Sequence, residues 1–163
     1  MTSQDNQEIL AVVRASRGRR FLGLTSLSLL GLSLLYIAFA RSPELVWQVF
    51  LIAVAAAALW CADAMRRGTA SAVELTETEL RDADGTLIAR VADIESMDRG
   101  VFAFKPSNGF LVKTKSTDGR IWRPGLWWRV GRRIGIGGMT PGHQTKFMSE
   151  ILAAMIAERD PQD

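Results

Sequence analysis

Phe21 to Ala40 is a run without a single charged side chain. As a helix rising about 1.5 Å per residue it covers roughly 30 Å, the depth of a bilayer's hydrocarbon layer. No other feature limits the possible folds of this chain as strongly. Arg41-Ser42-Pro43-Glu44 follows, then a second apolar stretch from Leu45 to Met65, closed by Arg66-Arg67-Gly68. Pro43 has no N–H and disfavours helix in the residue before it, so the chain must turn in this short link. Between residues 21 and 65 the only charges are Arg41, Glu44 and Asp63. The expectation is a transmembrane helical hairpin over residues 21–67. It must be helical, because open strands in lipid would leave backbone groups unpaired.

The flanks orient such a hairpin. Arg14, Arg17, Arg19 and Arg20 precede the first span, Arg66 and Arg67 follow the second, and the link holds only Arg41, offset by Glu44. The positive-inside rule then places both termini in the cytoplasm, with the hairpin in a bacterial inner membrane. A competing reading takes Arg17-Gly18-Arg19-Arg20, the apolar run and Ala38-Phe39-Ala40 as a cleaved signal peptide. The apolar run is long for that role, and a second span follows at once. Gly23, Ser26, Leu30 and Ser33 share one helical row; Ala53, Ala57, Cys61 and Ala64 share another. Small residues let helices approach closely in lipid, either within the hairpin or against a larger complex. Cys61 is then a packing residue, and Asp63 an end-of-helix partner for Arg66 or Arg67. Residues 1–20 read as a short lead-in, with Ile9, Leu10, Val12 and Val13 lying on the membrane surface or fraying.

Beyond residue 69 the composition changes: residues 69–163 hold 13 basic and 13 acidic groups. The remainder of this 163-residue chain therefore suits one modest water-exposed domain, expected over residues 70–163. Alternation suggests strands around Val73–Leu75 and Leu80, over Thr86–Val91, over Val101–Phe104 and over Phe110–Lys115. Further strands are expected at Arg120–Arg123, Leu126–Val130 and Arg132–Ile136. Asp84-Gly85, Asp118-Gly119 and Pro124-Gly125 read as turns, and Asp93-Ile94-Glu95-Ser96 as a brief turn or helical step. Thr140-Pro141 opens a helix running to about Arg159. Phe147, Ile151 and Met155 lie on one face, joined by Met148, Leu152 and Ile156, while Lys146, Glu150 and Glu158 face water. The plan is α+β: a bent antiparallel sheet closed by one C-terminal helix.

Leu75-Thr76-Glu77-Thr78-Glu79-Leu80, the first hairpin and Leu87-Ile88-Ala89-Arg90-Val91-Ala92-Asp93-Ile94 resemble the opening of a bacterial pleckstrin-homology-like (PH-like) domain. The closing helix after Gly137-Gly138-Met139-Thr140-Pro141 is similar too. The resemblance covers residues 72–159, behind a two-helix membrane anchor. It implies a split barrel capped by a C-terminal helix, and it carries over no binding residue. Arg123-Pro124-Gly125-Leu126-Trp127-Trp128-Arg129 is also similar to a segment of uncharacterised proteobacterial membrane proteins.

Charge is segregated in this half. Residues 74–98 have a net charge of −6 and residues 99–133 a net charge of +8. Opposite charges can pair across strands, or the basic stretch can face anionic lipid or an acidic partner. Tryptophan interleaved with arginine suits a membrane interface or a protein contact. The candidate membrane or partner contacts are therefore Arg123, Trp127, Trp128, Arg129, Arg132 and Arg133. Arg129, Arg132 and Arg133 are expected to face outward, with one indole of Trp127-Trp128 inserted. The anchor and the near-neutral domain argue against nucleic acid. Gly131-Arg132-Arg133-Ile134-Gly135-Ile136-Gly137-Gly138 lacks the phosphate-loop spacing and reads as bulge and turn. The chain has one cysteine and one histidine, His143, which leaves no metal-ligand set. No nucleophile, base and orienter can be assembled, and Asp93, Glu95 and Asp98 fall on a polar turn. The sequence thus points to a non-enzymatic membrane protein without a cofactor. It would act as an accessory, assembly or scaffold factor whose partners are membrane lipids and a membrane protein or a second copy. The alternative is a small structural subunit of a larger membrane complex.

Overall fold

The computed structural model describes residues 8–41, 43–98 and 106–159. The strand expected at Val101–Phe104 lies outside them. Two long helices come early: α1 spans Arg17–Ala40 and α2 spans Leu45–Gly68, both long and apolar enough to cross a membrane. They pack antiparallel. Gly31 sits where the helices leave no room for a side chain, since a Cβ there would stand 2.7 Å from Leu59 Cγ. Gly31 and Ala38 of α1 are buried against Ala55, Ala58, Ala62 and Met65 of α2. This seam differs from the expected rows: Ser26, Leu30, Ser33, Ala53 and Ala57 are exposed. The second helix carries alanine on every face, so small residues alone do not select the buried one.

The remaining elements form two antiparallel sheets and a helix. Strands β1 (Ala11–Arg14), β2 (Ala72–Leu75), β3 (Glu79–Asp82) and β4 (Leu87–Arg90) make a four-stranded sheet in that order. A 3-10 turn at Val91–Asp93 leads into β5 (Ile94–Asp98), which pairs with β6 (Phe110–Arg123), and β6 with β7 (Trp127–Ile136). Helix α3 covers Gly142–Arg159.

Four elements differ from the sequence reading. The lead-in is a strand: Ala11–Arg14 pairs with Ala72–Leu75, and Ala11 and Val13 enter the core. Cleavage after Ala40 would therefore remove one wall of the domain. Ile94–Asp98 is extended: Ile94 is fully buried, and after a register shift Ser96, Met97 and Asp98 pair with Lys113, Val112 and Leu111 of the neighbouring strand. Asp118-Gly119 does not reverse the chain. It lies at a break in register between β6 and β7, where Asp118 faces Gly131 and Gly131 adopts φ 60. A left-handed residue at a bulge bends the strand pair instead of ending it. Finally, α3 begins at Gly142, and the Pro141 carbonyl accepts from the Gln144 N–H at 3.2 Å and the Thr145 N–H at 3.4 Å. Its buried residues are Thr145, Met148, Ser149 and Leu152, whereas Phe147 is 55% exposed.

The hairpins at Asp84-Gly85 and Pro124-Gly125 form as expected. The core between the sheets holds Val73, Leu75, Leu80, Ile88, Ile94, Phe110, Val112, Leu126, Trp127, Ile134 and Ile136. Met148 and Leu152 of α3 join it. Because β1 enters α1 and β2 leaves α2, the outer ends of the helical pair are tied to neighbouring strands of one sheet. The 138–140 loop completes the junction. Met139 accepts the Ser16 N–H at 2.7 Å, and Arg19 Nη1 donates to the Thr140 carbonyl at 3.4 Å.

Candidate functional site

Where the helical pair meets the sheets, the polar residues are assembled from β3, β6 and β7. Alternation that buries Leu80 also buries Asp82, two residues on, and its carboxylate is fully enclosed. An isolated buried carboxylate is costly, so it must be supplied with donors. Trp127 Nε1–H donates to Asp82 Oδ2 at 2.7 Å, the Ser71 hydroxyl donates to Oδ1, and Arg123 Nε lies 3.8 Å away. Arg123 also pairs with Asp84. The Asp84 carboxyl is held below the usual carboxylate range, first by hydrogen bonding from Thr86 and then by Arg123.

The six sequence candidates do not converge on one outward patch. Trp127 is a core side chain and Arg123 is a partner of Asp82 and Asp84. Arg129 is buried, contrary to expectation. Its Nε donates to the Gly119 carbonyl at 3.0 Å, its Nη1 to the Ile88 carbonyl at 3.1 Å, and it pairs with Asp118 at 3.0 Å. It bridges β4 to the bent β6–β7 pair and supplies donors to an otherwise open strand edge. Arg132 is exposed but engaged, donating to the Thr114 carbonyl at 2.8 Å and pairing with Glu95. Lys113 reaches the same Glu95 at 3.1 Å. The Glu95 carboxyl is therefore depressed, chiefly by the Lys113 hydrogen bond and then by the charges of Lys113, Arg132 and Lys115. Trp128 is half-buried, its ring lying over Gly135. Of the six, Arg133 alone is both exposed and without an ion pair among the described residues. Much of the charge segregation is thus matched between the two segments, as Glu95 with Lys113 and Arg132 and Asp84 with Arg123 illustrate.

The flanking arginines cluster at the junction. Arg66 and Arg67 pair with Asp63 at 2.8 and 2.9 Å, and Arg20 Nη2 donates to the Arg66 carbonyl at 3.4 Å. Arg14 and Arg17 are exposed at the ends of β1 and α1. Sequence reasoning missed Asp82, although the period-two pattern through Leu80 turns it inward. Trp122 is one of the tryptophans interleaved with arginine, but its partner was not legible because it is remote: Trp122 stacks on Trp60 of α2 with ring centroids 6.0 Å apart.

The described residues contain no group of three or more His, Cys, Asp or Glu side chains placed to hold a metal ion. His143 is exposed in the first turn of α3. No family model, curated protein or solved structure matches the chain.

Proposed function

We propose that this is a non-enzymatic integral membrane protein in which α1 and α2 span the bilayer and hold a PH-like domain against its cytoplasmic face. One observation carries the reading: the helical pair is turned inside out for water. Its large apolar side chains, among them Leu29, Leu32, Tyr36, Phe39, Trp47 and Phe50, are exposed, while the buried positions go to Gly31, Ala38, Ala55, Ala58 and Ala62 with Met65 and Gly68. Lipid is the solvent that suits this arrangement. The layout of seven strands in two antiparallel sheets, with α3 on the core, supports the PH-like assignment. The polar groups at the junction are spent on one another, which favours a binding or scaffold role over catalysis. The arginines around the junction support the cytoplasmic placement.

Reporter fusions at Met1, in the Ser42–Glu44 link and after Asp163 test the topology. Both termini should report cytoplasm and the link periplasm; periplasmic activity at either terminus would refute the orientation. Native mass spectrometry in mild detergent then separates the roles. A scaffold domain gives the chain alone or with bound lipid, whereas a fixed stoichiometric companion identifies a subunit of a larger complex.

A further inference from the structure

The β6–β7 arm runs along the outside of α2. At the turn, Pro124 packs on Gly68, where a Cβ would stand 2.9 Å from the Pro124 carbonyl oxygen. Two residues back along β6, Trp122 stacks on Trp60 with 29° between the ring planes. Gly68 ends α2, and Trp60 lies about 12 Å further into the helix at 1.5 Å per residue. Trp60 is six residues from Arg66, about 9 Å at that rise, so the indole stack lies within two turns of the charged end of α2. Alternation places Arg120 and Trp122 on one face of β6, with Trp128 opposite Trp122 and Val130 beyond it. Trp127 and Arg129 occupy the other, buried face.

This outer face is apolar and uncovered. Trp60, Trp122 and Val130 are 57%, 52% and 51% exposed, despite the indole stack. Arg120 is exposed and forms no ion pair among the described residues, while Asp118 is taken by Arg129. Two indoles, an isopropyl group and a free guanidinium beside the charged end of an apolar helix match the chemistry of a headgroup boundary, where amphipathic side chains settle.

We infer that the β6–β7 arm docks on the bilayer that holds α1 and α2. Trp122 and Val130 enter the headgroup boundary beside Trp60, and Arg120 binds the phosphates of anionic phospholipids there. This rests on the spanning role proposed above and names the lipid surface that the domain meets. It also fixes the domain's orientation, since the arm is held by α2 at one end and by lipid along its face.

Nitroxide labels in the full-length Cys61→Ser protein test this, in discs of phosphatidylcholine alone or mixed with phosphatidylglycerol. Labels replace Leu29 in α1, Val130 on the arm and Glu158 on α3, one at a time. Collision with oxygen, which enters lipid, is compared with collision with a water-soluble nickel chelate. Oxygen should dominate at position 29, nickel at 158, and oxygen again at 130, with a deeper position in the anionic discs. Arg120→Gln should remove that lipid-dependent shift. Nickel dominance at 130 with oxygen dominance at 29 overturns the docking and leaves the spanning role intact. Nickel dominance at both overturns both. Equal depth of position 130 in the two lipids, unchanged by Arg120→Gln, overturns the anionic-lipid claim. Shielding of position 130 from both colliders means that protein covers the arm, which overturns the lipid claim as a whole.

Discussion

The helical pair and the sheet domain solve the burial problem in opposite ways. Trp47 in α2 is 61% exposed, whereas Trp127 in β7 is 1% exposed. In the helices the inward positions go to Gly31, Ala38, Ala55 and Ala58, so that backbones meet. In the domain the inward positions go to Phe110, Trp127, Leu126 and Ile134, so that large side chains fill the space between layers. The first pattern leaves its apolar area outside and brings backbones into close contact, as helices in lipid do; the second relies on removing apolar area from water, at about 25 cal/mol per Å². One chain thus carries two cores, each suited to a different solvent.

The contrast can be broken most severely from the domain side. Leu152→Asp puts an unpaired carboxylate on the fully buried face of α3. It should cost on the order of 5 kcal/mol, enough to abolish the domain's cooperative melt followed by tryptophan fluorescence. Retention of the wild-type melt would mean that α3 is not part of the core. The matching change on the helices is Leu29→Asp, at an exposed position. In water it would be harmless. In lipid it should cost roughly 3 kcal/mol of insertion, lowering the membrane-integrated fraction in an insertion assay. A Leu29→Asp protein that became detergent-free and well folded would erase the distinction between the two regions.

Trp127→Phe sharpens the picture within the domain. The ring volume is largely kept, but Asp82 loses its indole donor. The expected loss is about 2 kcal/mol by chemical denaturation. Asp82→Asn in the same background should recover part of it, because the neutral amide tolerates the missing donor. The smallest effect concerns pH. Asp84 and Glu95 have depressed carboxyl pKa values, so the folded state binds their protons less readily than the unfolded chain does. Their contribution is present above roughly pH 4, the unfolded carboxylate range, and is lost as pH falls through the lower folded values. The solvent-discounted share of the Asp84–Arg123 pair is about 0.5 kcal/mol, and Asp84→Asn, which leaves Arg123 beside Asp82, should flatten the acid limb of a melting-temperature profile by that small amount.

Local chemistry made part of this architecture legible in advance. The absence of charge from Phe21 to Ala40 marks a helix whatever surrounds it, and Asp84-Gly85 marks a hairpin. What escaped was set by distant partners. Ala11–Arg14 has too few residues to show a period, and its partner Ala72–Leu75 lies beyond the entire helical pair. Asp118-Gly119 has turn chemistry, but Gly131 across the ladder absorbs it as a bend. Counting arginines gave a basic stretch. Only the fold reveals that Arg129 is consumed by Asp118 and the β4 carbonyls while Arg120 is left open. Phe147 looked like a core residue because a helix of mixed composition offers more than one apolar row, and β1 with the sheets selects the row through Met148 and Leu152.

The position of β1 ahead of α1 has a consequence for the order in which the molecule is made. A ribosome delivers Ala11–Arg14 first, but its hydrogen-bonding partner emerges only after both long helices have been synthesised. The strand must wait while α1 and α2 are made, and it finds β2 only if α2 folds back along α1 and returns the chain to where α1 began. Until then β2 presents a bare edge, the kind of backbone that invites wrong pairings. Completion of the sheet therefore reports that the two helices have paired correctly: four residues of β1 close on β2 only when α2 has folded back along α1.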